Sequence, residues 1–427
     1  MEVGGPLARK RVVVEIRLET LMTIPLPSDS FTRRGLFGAM GAAGGLAVLQ
    51  HAVADDKNPA GQVADSASTI RITGLKTHRV QHKVYVEIVT SHKISGWGEV
   101  SALQPAAAEE LTKAMFELLD GENPTRIEHL WQKLYRAHRD MRGGPFMCHT
   151  IAGIDMALWD ITGKLWGVPV YRLLGGPCRD KVRVYPTSKA HKVPPHGIYG
   201  HAGNPDEIDR MVQAIKATRE RVGPDGCVMF DAHCAVPPAT LIQLAAAIKA
   251  YDVLFIEEVA VPGNIEVFKR LKAAINIPLA TGERDHTIWE FLPYLHERAI
   301  DVLQPDVAHC GGITQMKKIA VLAEAYHVPL APHCTTSPLG ATASLSVGAS
   351  IPFLLIHETA PGSLQWGEQF MNRPWTVDDA TSYATLPEGP GLGVEIDVAK
   401  MEKIAADPKY KWNWPKITLP DGSVADY

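Results

Sequence analysis

Short runs of apolar, β-forming residues recur through the second half of the chain, and an ionisable residue closes each run. These residues follow one another at steps of 26, 26, 23, 27 and 25: Asp231, Glu257, Glu283, Asp306, His333 and Glu358. A step of about 25 residues fits one β-strand, one returning helix and short loops. The pattern therefore predicts an α/β fold with a TIM-type (β/α) barrel over residues 181–360, and the closing residues meet at its mouth.

The stretch before the barrel, residues 69–180, changes from strand-like to helical patterns. Its first part, to about Val100, alternates apolar and polar positions and predicts antiparallel strands. Its later part carries apolar residues at helical spacing and ends its last helix at Gly167. Strands followed by helices predict an α+β capping domain over the barrel mouth. The Gly/Pro-rich segment 361–427 is predicted to fold back against that cap.

One region interrupts the barrel repeat. Between the first strand, near Tyr185, and the third, near Phe230, the repeat requires two helices and one strand. Only residues 204–221 read as a convincing helix, with a capping box at its start. The preceding residues 186–203 are rich in Pro and Gly, so the first helix and the second strand are expected to be shortened, irregular or lost. A missing strand leaves unpaired edges that another segment has to cover.

The first 54 residues differ from the rest. Arg33 and Arg34 precede a weakly apolar Gly/Ala-rich run, and 52–54 read Ala-Val-Ala, a cleavage pattern. This arrangement resembles a twin-arginine export signal, and residues 55–68 read as a polar linker. The sequence therefore predicts export to the periplasm, with a cytoplasmic location as the alternative. The apolar run is too short to span a bilayer, and no other segment reads as a membrane span.

Charge and cysteine content narrow the function classes. Lys and Arg number 43 against 47 Asp and Glu, a formal net charge of −4 without a basic stripe, so nucleic acid is not an expected partner. The six cysteines show no CxxC spacing, which indicates neither a disulfide framework nor a zinc site. The hydrophobic content of 46% and the 36 glycines suit an ordinary α/β enzyme.

The candidate chemistry lies in the residues that close the strands. Asp231, Glu257 and Glu283 end consecutive strands and would repel one another unless a cation lies between them, and an all-oxygen donor set suits Mg²⁺. An ordinary capping or salt-bridge role would explain any one of them alone. The next two closing residues, Asp306 and His333, end adjacent strands. A carboxylate that fixes the tautomer of a histidine gives a general base.

Three further residues are assigned to the same mouth. His233 lies two residues after Asp231, on the same face of the predicted strand, and is placed to act as a general acid. His309 and Glu358 are candidate substrate contacts. For His233 a loop hydrogen bond is the alternative, and for Glu358 a purely structural role is the alternative.

These motifs together resemble the enolase superfamily, mandelate racemase subgroup. The resemblance rests on residues 143–176 and on the short sequences Phe-Asp-Ala-His-Cys, Leu-Phe-Ile-Glu-Glu, Ala-Thr-Gly-Glu-Arg-Asp and Leu-Ala-Pro-His-Cys, and it covers about residues 70–395. Within the superfamily the chain is most similar to sugar-acid dehydratases of the galactonate, gluconate and mannonate kind. The resemblance implies a modified (β/α)7β barrel with an α+β cap, and related proteins are commonly homo-oligomers.

The resemblance also implies a mechanism. Mg²⁺ is held by Asp231, Glu257 and Glu283, and His333, supported by Asp306, removes the proton α to a carboxylate. A histidine in the place of His233 protonates the departing 3-hydroxyl, and a 2-keto-3-deoxy acid forms.

One departure from the superfamily leaves alternatives open. The racemases and cycloisomerases carry a Lys-x-Lys pair on strand 2, and this chain has none. A hydroxy-acid epimerase with His233 as second base, and a non-catalytic sugar-acid binding protein, are the other readings.

Overall fold

The structure is a computed structural model, and it describes residues 69–195, 205–410, 422 and 424. The predicted signal (1–54) and linker (55–68) lie outside the described residues, so export stays a prediction. No helix in the described ranges is long and apolar enough to cross a membrane.

The N-terminal part is an antiparallel sheet packed on helices. The sheet has the order β1-β2-β3, formed by Ile72–Val80, Lys83–Thr90 and Ser95–Val100. The helices are α1 (Pro105–Ala114), α2 (Ile127–Ala137), α3 (Gly144–Trp166) and α4 (Val170–Leu173). Helix α3 lies so close to β3 that a Cβ on Gly98 would stand 1.7 Å from the Gly153 carbonyl oxygen. Glycine is required there because a side chain would collide with backbone.

The barrel follows, with strands and helices in alternation. Its strands are β4 (Lys181–Tyr185), β5 (Ala190–Val193), β6 (Cys227–Asp231), β7 (Val253–Glu257), β8 (Leu279–Thr281), β9 (Val302–Leu303) and β10 (His357–Glu358). The helices are α5 (Pro205–Val222), α6 (Pro238–Ile248), α7 (Ile265–Ala274), α8 (Thr287–His296), α9 (Gly312–Ala325) and α10 (Pro338–Ala349). Strands β5 to β9 form one parallel sheet, and single bridges at Leu330 and Leu354 continue it toward β10, which pairs with β4.

A buried cluster fills the barrel interior, with a residue from every strand position. Its members include Tyr185, Ala190, Met229, Phe255, Ala280, Val302, Ala331 and Ile356. Successive strands each place alternate residues inside, as expected for a packed barrel core. The predicted α/β barrel with an α+β module is therefore confirmed.

Of the expected outcomes for strand 2, shortening is confirmed and complete loss is not. The strand is short but regular: β5 has four residues and pairs in parallel with β6, so it is not lost. The missing part is the helix between strands 1 and 2, because residues 186–189 alone join β4 to β5. The described barrel therefore has one helix fewer than the (β/α)7β pattern that the resemblance implied. The sequence did not indicate β5 because residues 186–203 were treated together as one Pro- and Gly-rich region, although the strand lies in the part of that region before most of the Pro and Gly residues.

The C-terminal segment covers the edge that this shortcut leaves on strand 1. After α11 (Pro361–Gly367), strands β11 (Val377–Asp378) and β12 (Tyr383–Thr385) form a hairpin, and β12 pairs antiparallel with β4. The turn 186–189 is fixed to the same hairpin, because the Ser188 N–H donates to Asp379 Oδ1 at 2.9 Å. The segment also reaches the cap: the Val170 N–H donates to the Gly391 carbonyl at 2.9 Å, before the last helix, α12 (Val398–Ala406). The exact domain boundaries stay predictions.

Candidate active site

All six residues that close the apolar runs lie at the carboxyl ends of the barrel strands. Asp231, Glu257 and Glu358 are the last residues of their strands. Glu283, Asp306 and His333 follow shortly after β8, β9 and the Leu330 bridge. These ends form the mouth of a barrel, so the spacing brings the six residues into one cluster there.

Asp306 and His333 form a hydrogen-bonded pair. His333 Nδ1 lies 2.7 Å from Asp306 Oδ2, and both residues are buried. The other Asp306 oxygen accepts the Ala308 N–H at 2.7 Å, which fixes the carboxylate. Because a carboxylate only accepts, Nδ1 carries the proton and Nε2 of the neutral ring is left as the basic atom. Nε2 lies 3.6 Å from Glu283 Oε2 and 3.8 Å from Glu358 Oε2.

The charges of this pair depend on their surroundings. Burial alone would raise the pKa of Asp306, but His309 and His333 hold it below its usual range. Burial alone would lower the pKa of His333, but the carboxylates of Glu283 and Glu358 raise it well above its usual range. Neutralising Glu283 therefore favours the unprotonated imidazole that a general base needs.

Lys192 is a site residue that the sequence reasoning did not assign. It lies two residues after Ala190, whose side chain is inside the barrel, so it points to the mouth on the same face of β5. Its Nζ lies 2.5 Å from Glu257 Oε1, 3.0 Å from Glu358 Oε1 and 3.4 Å from Asp231 Oδ2. Burial would lower the pKa of Lys192, but Glu257 and Glu358 raise it well above its usual range, so the ammonium stays charged.

The three predicted metal ligands lie at the same mouth, but they contact two different side chains. Asp231 and Glu257 share the Lys192 ammonium, whereas Glu283 faces His333. Among the described residues, the groups whose ligand atoms all lie within 4.8 Å of one another are Asp306, His309 and His333, and His233, Glu258 and Glu283. The first group contains the hydrogen-bonded pair. In the second, Glu258 is already neutralised by Arg284, at 2.5 Å and 3.0 Å.

The donor set nevertheless fits a divalent cation. Burial raises the pKa of Glu283 to about 7, because a carboxylate without a close cation is costly in this cavity, although His333 opposes the shift. Asp231, Glu257 and Glu283 supply only oxygen donors, from three neighbouring strands, and hard divalent cations prefer such donors. The residues present are therefore consistent with a divalent metal held by these three side chains.

Replacement of Lys192 by methionine tests this balance of charge. The variant leaves Asp231, Glu257 and Glu358 without the ammonium they share, and breaking a buried pair in this way costs about 3–5 kcal/mol. We expect metal-free Lys192→Met to melt at lower temperature than the wild type and to gain more in Tm from added divalent cation. Lys189→Met, an exposed neighbour, is the control. An equal cation-induced gain in both variants would contradict the shared-charge account.

His233 reaches the cavity by a route other than the one predicted. Strand β6 ends at Asp231, so the alternation of strand side chains does not apply to His233. Its backbone is instead left-handed, with φ 48°, and its N–H donates to Asp231 Oδ1 at 2.8 Å. This turn places its ring 3.8 Å from Glu258, at the Nε2 to Oε2 distance, and within ligand distance of Glu283. Glu283 thus has His333 on one side and His233 as a further neighbour.

His309 lies at the mouth and is stacked on a histidine of the N-terminal module that the sequence reasoning missed. The ring centroids of His149 and His309 are 4.3 Å apart and the rings are nearly parallel, at 11°. His309 is also 6.0 Å from the His333 ring. Burial lowers the pKa of both rings, that of His149 well below its usual value. The signal for His149 was weak, because it lies in a helix most of whose residues are buried for packing.

Comparison with known proteins agrees with this geometry. Residues 63–175 match the family described as mandelate racemase / muconate lactonizing enzyme, N-terminal domain, and residues 181–400 match enolase C-terminal domain-like. A D-galactonate dehydratase from Variovorax paradoxus (strain S110) is 35% identical over 385 residues, which covers 84% of this chain and 100% of the relative. One from Ralstonia pickettii (strain 12J) is also 35% identical, over 390 residues, with the same coverage.

Solved structures show the same fold. An enolase from Agrobacterium radiobacter, with bound Na and L-malate, superposes with a TM-score of 0.75 at 30% identity and covers 83% of this chain and 99% of that one. A member of the enolase superfamily from Salmonella Typhimurium gives 0.73 at 28% identity, covering 78% and 98%. The chain therefore belongs to the mandelate racemase / muconate lactonizing enzyme family of the enolase superfamily, among its dehydratases, which are hydro-lyases.

Proposed function

We propose that the protein is a Mg²⁺-dependent dehydratase of a sugar acid of the galactonate or gluconate type. The observation that carries the proposal is the His333–Asp306 pair at 2.7 Å, with the basic nitrogen turned toward Glu283. The relatives named above act on D-galactonate, and the relative from Agrobacterium radiobacter binds a hydroxy acid, L-malate. Both facts support a hydroxy-carboxylate substrate for this chain.

His333 performs the first step. Asp306 holds Nδ1–H, so Nε2 accepts the proton from C2, the carbon α to the substrate carboxylate. A positioned general base of this kind contributes about 10²- to 10⁴-fold to the rate. The pair of electrons left on C2 spreads into the carboxylate, where negative charge accumulates.

Asp231, Glu257 and Glu283 would hold Mg²⁺, which suits a buried set of carboxylate oxygens. When bound, the ion supplies electrostatic stabilisation of the charge that develops on the substrate carboxylate. Lys192, beside Glu257 and Glu358, adds a fixed positive charge at the same mouth.

His233 completes the elimination. The electron pair from C2 forms the C2–C3 double bond as the C3–O bond breaks, and a proton from His233 converts the departing hydroxyl to water. The enol product then tautomerises to a 2-keto-3-deoxy acid. His233 belongs to the group with Glu283 and not to the group that contains the His333–Asp306 pair, which suits an acid that is separate from the base.

The variant His233→Asn separates the two steps. We expect it to keep exchange of the C2 proton with D₂O, because His333 is untouched, and to lose keto-acid formation by about 10²-fold or more. Exchange is followed by ¹H NMR and keto acid by semicarbazide absorbance. Loss of both activities to the same extent would remove the separate acid role. Return of deuterated substrate without keto acid from the wild type would instead indicate an epimerase.

The substrate itself is found by screening. A panel of hexonic and pentonic acids with Mg²⁺, read by semicarbazide, is expected to give keto acid with at least one member. Tight binding of a sugar acid without turnover at saturating Mg²⁺ would indicate a non-catalytic relative. Assembly into a homo-oligomer stays a prediction, tested by light scattering.

A further inference from the structure

The stacked histidines join the two structural modules directly at the mouth. His149 lies near the start of α3, in the N-terminal module, and His309 lies in the loop after β9 of the barrel. Their rings are 4.3 Å apart and both side chains are buried. The His309 ring centroid is 6.0 Å from that of His333, so the pair lies beside the proposed base.

Backbone carbonyls fix the tautomer of both rings. His149 Nδ1 lies 2.9 Å from the Ser101 carbonyl oxygen, and His309 Nδ1 lies 2.9 Å from the Glu283 carbonyl oxygen. A carbonyl oxygen only accepts, so Nδ1 is the protonated nitrogen in both rings. Two imidazolium ions stacked face to face in a buried site would repel each other, so the stack favours neutral rings. Each Nε2 is then a hydrogen-bond acceptor.

These two acceptors are open. Neither Nε2 makes a hydrogen bond within the described part of the chain. Neither atom is among the solvent-inaccessible polar atoms of that part that lack a hydrogen-bond partner. Each Nε2 therefore keeps some accessible surface although both side chains are largely buried. Acceptors of this kind match hydroxyl groups, which can donate, and do not match carboxylates, which only accept.

A barrel residue, Ser337, fixes the segment that orients His149. Glu99, at the end of β3, accepts hydrogen bonds from the Ser337 N–H at 3.2 Å to each carboxylate oxygen, and it pairs with the ammonium of Lys83. Ser101, whose carbonyl orients His149, follows two residues later. The stack therefore lies beside a hydrogen-bonded junction between the two modules, and such support suits a residue that selects substrates.

We propose that His149 and His309 bind the hydroxyl groups of the substrate beyond C3, and that His149 is a specificity-determining residue contributed by the N-terminal module. The inference rests on the proposed function and adds the part of the substrate that this pair recognises. A polyhydroxylated chain satisfies both Nε2 acceptors, whereas an apolar or truncated acid leaves them without a donor.

The variant His149→Phe keeps a ring for stacking and removes the acceptor. Two probes are compared: the hexonic acid of the panel that binds most tightly to the wild type with Mg²⁺, and glycerate, which has a C2 proton and a 3-hydroxyl but no carbon beyond C3. We expect His149→Phe to weaken binding and kcat/KM for the hexonate by about 10- to 100-fold. Glycerate should change by less than about threefold. Binding is measured by calorimetry and turnover by semicarbazide.

Controls separate recognition from damage to the fold. Cys148→Ala, the neighbouring buried residue on α3, is expected to leave the ratio of the two probes unchanged. If His149→Phe fails to fold, His309→Phe tests the same ratio from the barrel side. Equal losses on both probes would overturn the recognition role. A wild type that binds the hexonate without dehydrating it refutes the proposed function alone, and the binding ratio still decides the role of His149. Absence of any binding overturns both.

Discussion

The His333→Asn variant is expected to lose exchange of the C2 proton and keto-acid formation together, by about 10²- to 10⁴-fold. Asparagine keeps a polar side chain that can still face Asp306, but it cannot accept a proton at the position of Nε2. Elimination follows proton removal, so both readouts fall, in contrast to His233→Asn. The measurement is ¹H NMR of the substrate in D₂O beside semicarbazide absorbance.

A control for this variant is the response to divalent cation. Because Asp231, Glu257 and Glu283 are unchanged, His333→Asn should keep a cation-induced rise in Tm within a few degrees of the wild type. His296→Asn, an exposed histidine on α8, should change neither activity nor Tm. Exchange at the wild-type rate in His333→Asn would show that another group is the base.

Glu257→Gln is expected to remove most of the dependence of stability on Mg²⁺. In the wild type, cation at 100 times its Kd stabilises the folded state by about 2.7 kcal/mol. A 100-fold weaker site reduces that gain to about 0.4 kcal/mol, because the neutral amide cannot replace the central carboxylate of the three. Activity should fall by about 10³-fold or more, since charge on the substrate carboxylate is no longer stabilised.

The matched control is Glu266→Gln on α7, an exposed glutamate paired with Lys269. It should keep the full Mg²⁺-dependent rise in Tm, measured by differential scanning fluorimetry with and without chelator. An undiminished rise in Glu257→Gln would remove Glu257 from the ligand set.

The repeat length alone predicted the location of the site residues that lie at or just after the ends of regular strands. Asp231, Glu257 and Glu358 end strands, and Asp306 and His333 follow strand ends, so their meeting at one mouth follows from the repeat length alone. The contact between Asp306 and His333 is possible because β9 and the strand position at Leu330 are neighbours in the sheet.

The rest depends on contacts that no local pattern contains. Lys192 was not assigned because strand 2 was expected to be shortened, irregular or lost, so its register was unknown. With the strand in place, the position of Lys192 two residues after Ala190 identifies it. The hairpin β11–β12 pairs with β4, about 200 residues earlier in sequence, through short strands of weak β-pattern. His149 meets His309 only through the packing of two modules, which periodicity within either module does not specify.

One experiment tests most directly whether the divalent cation and the site residues together remove the C2 proton and eliminate the 3-hydroxyl. Protein, Mg²⁺ and the substrate hexonate are mixed in D₂O and followed by ¹H NMR. The account predicts loss of the C2 proton signal and growth of a 2-keto-3-deoxy product that carries one deuterium at C3, both only when divalent cation is present. An unchanged C2 proton signal in a sample that binds both cation and hexonate would contradict it.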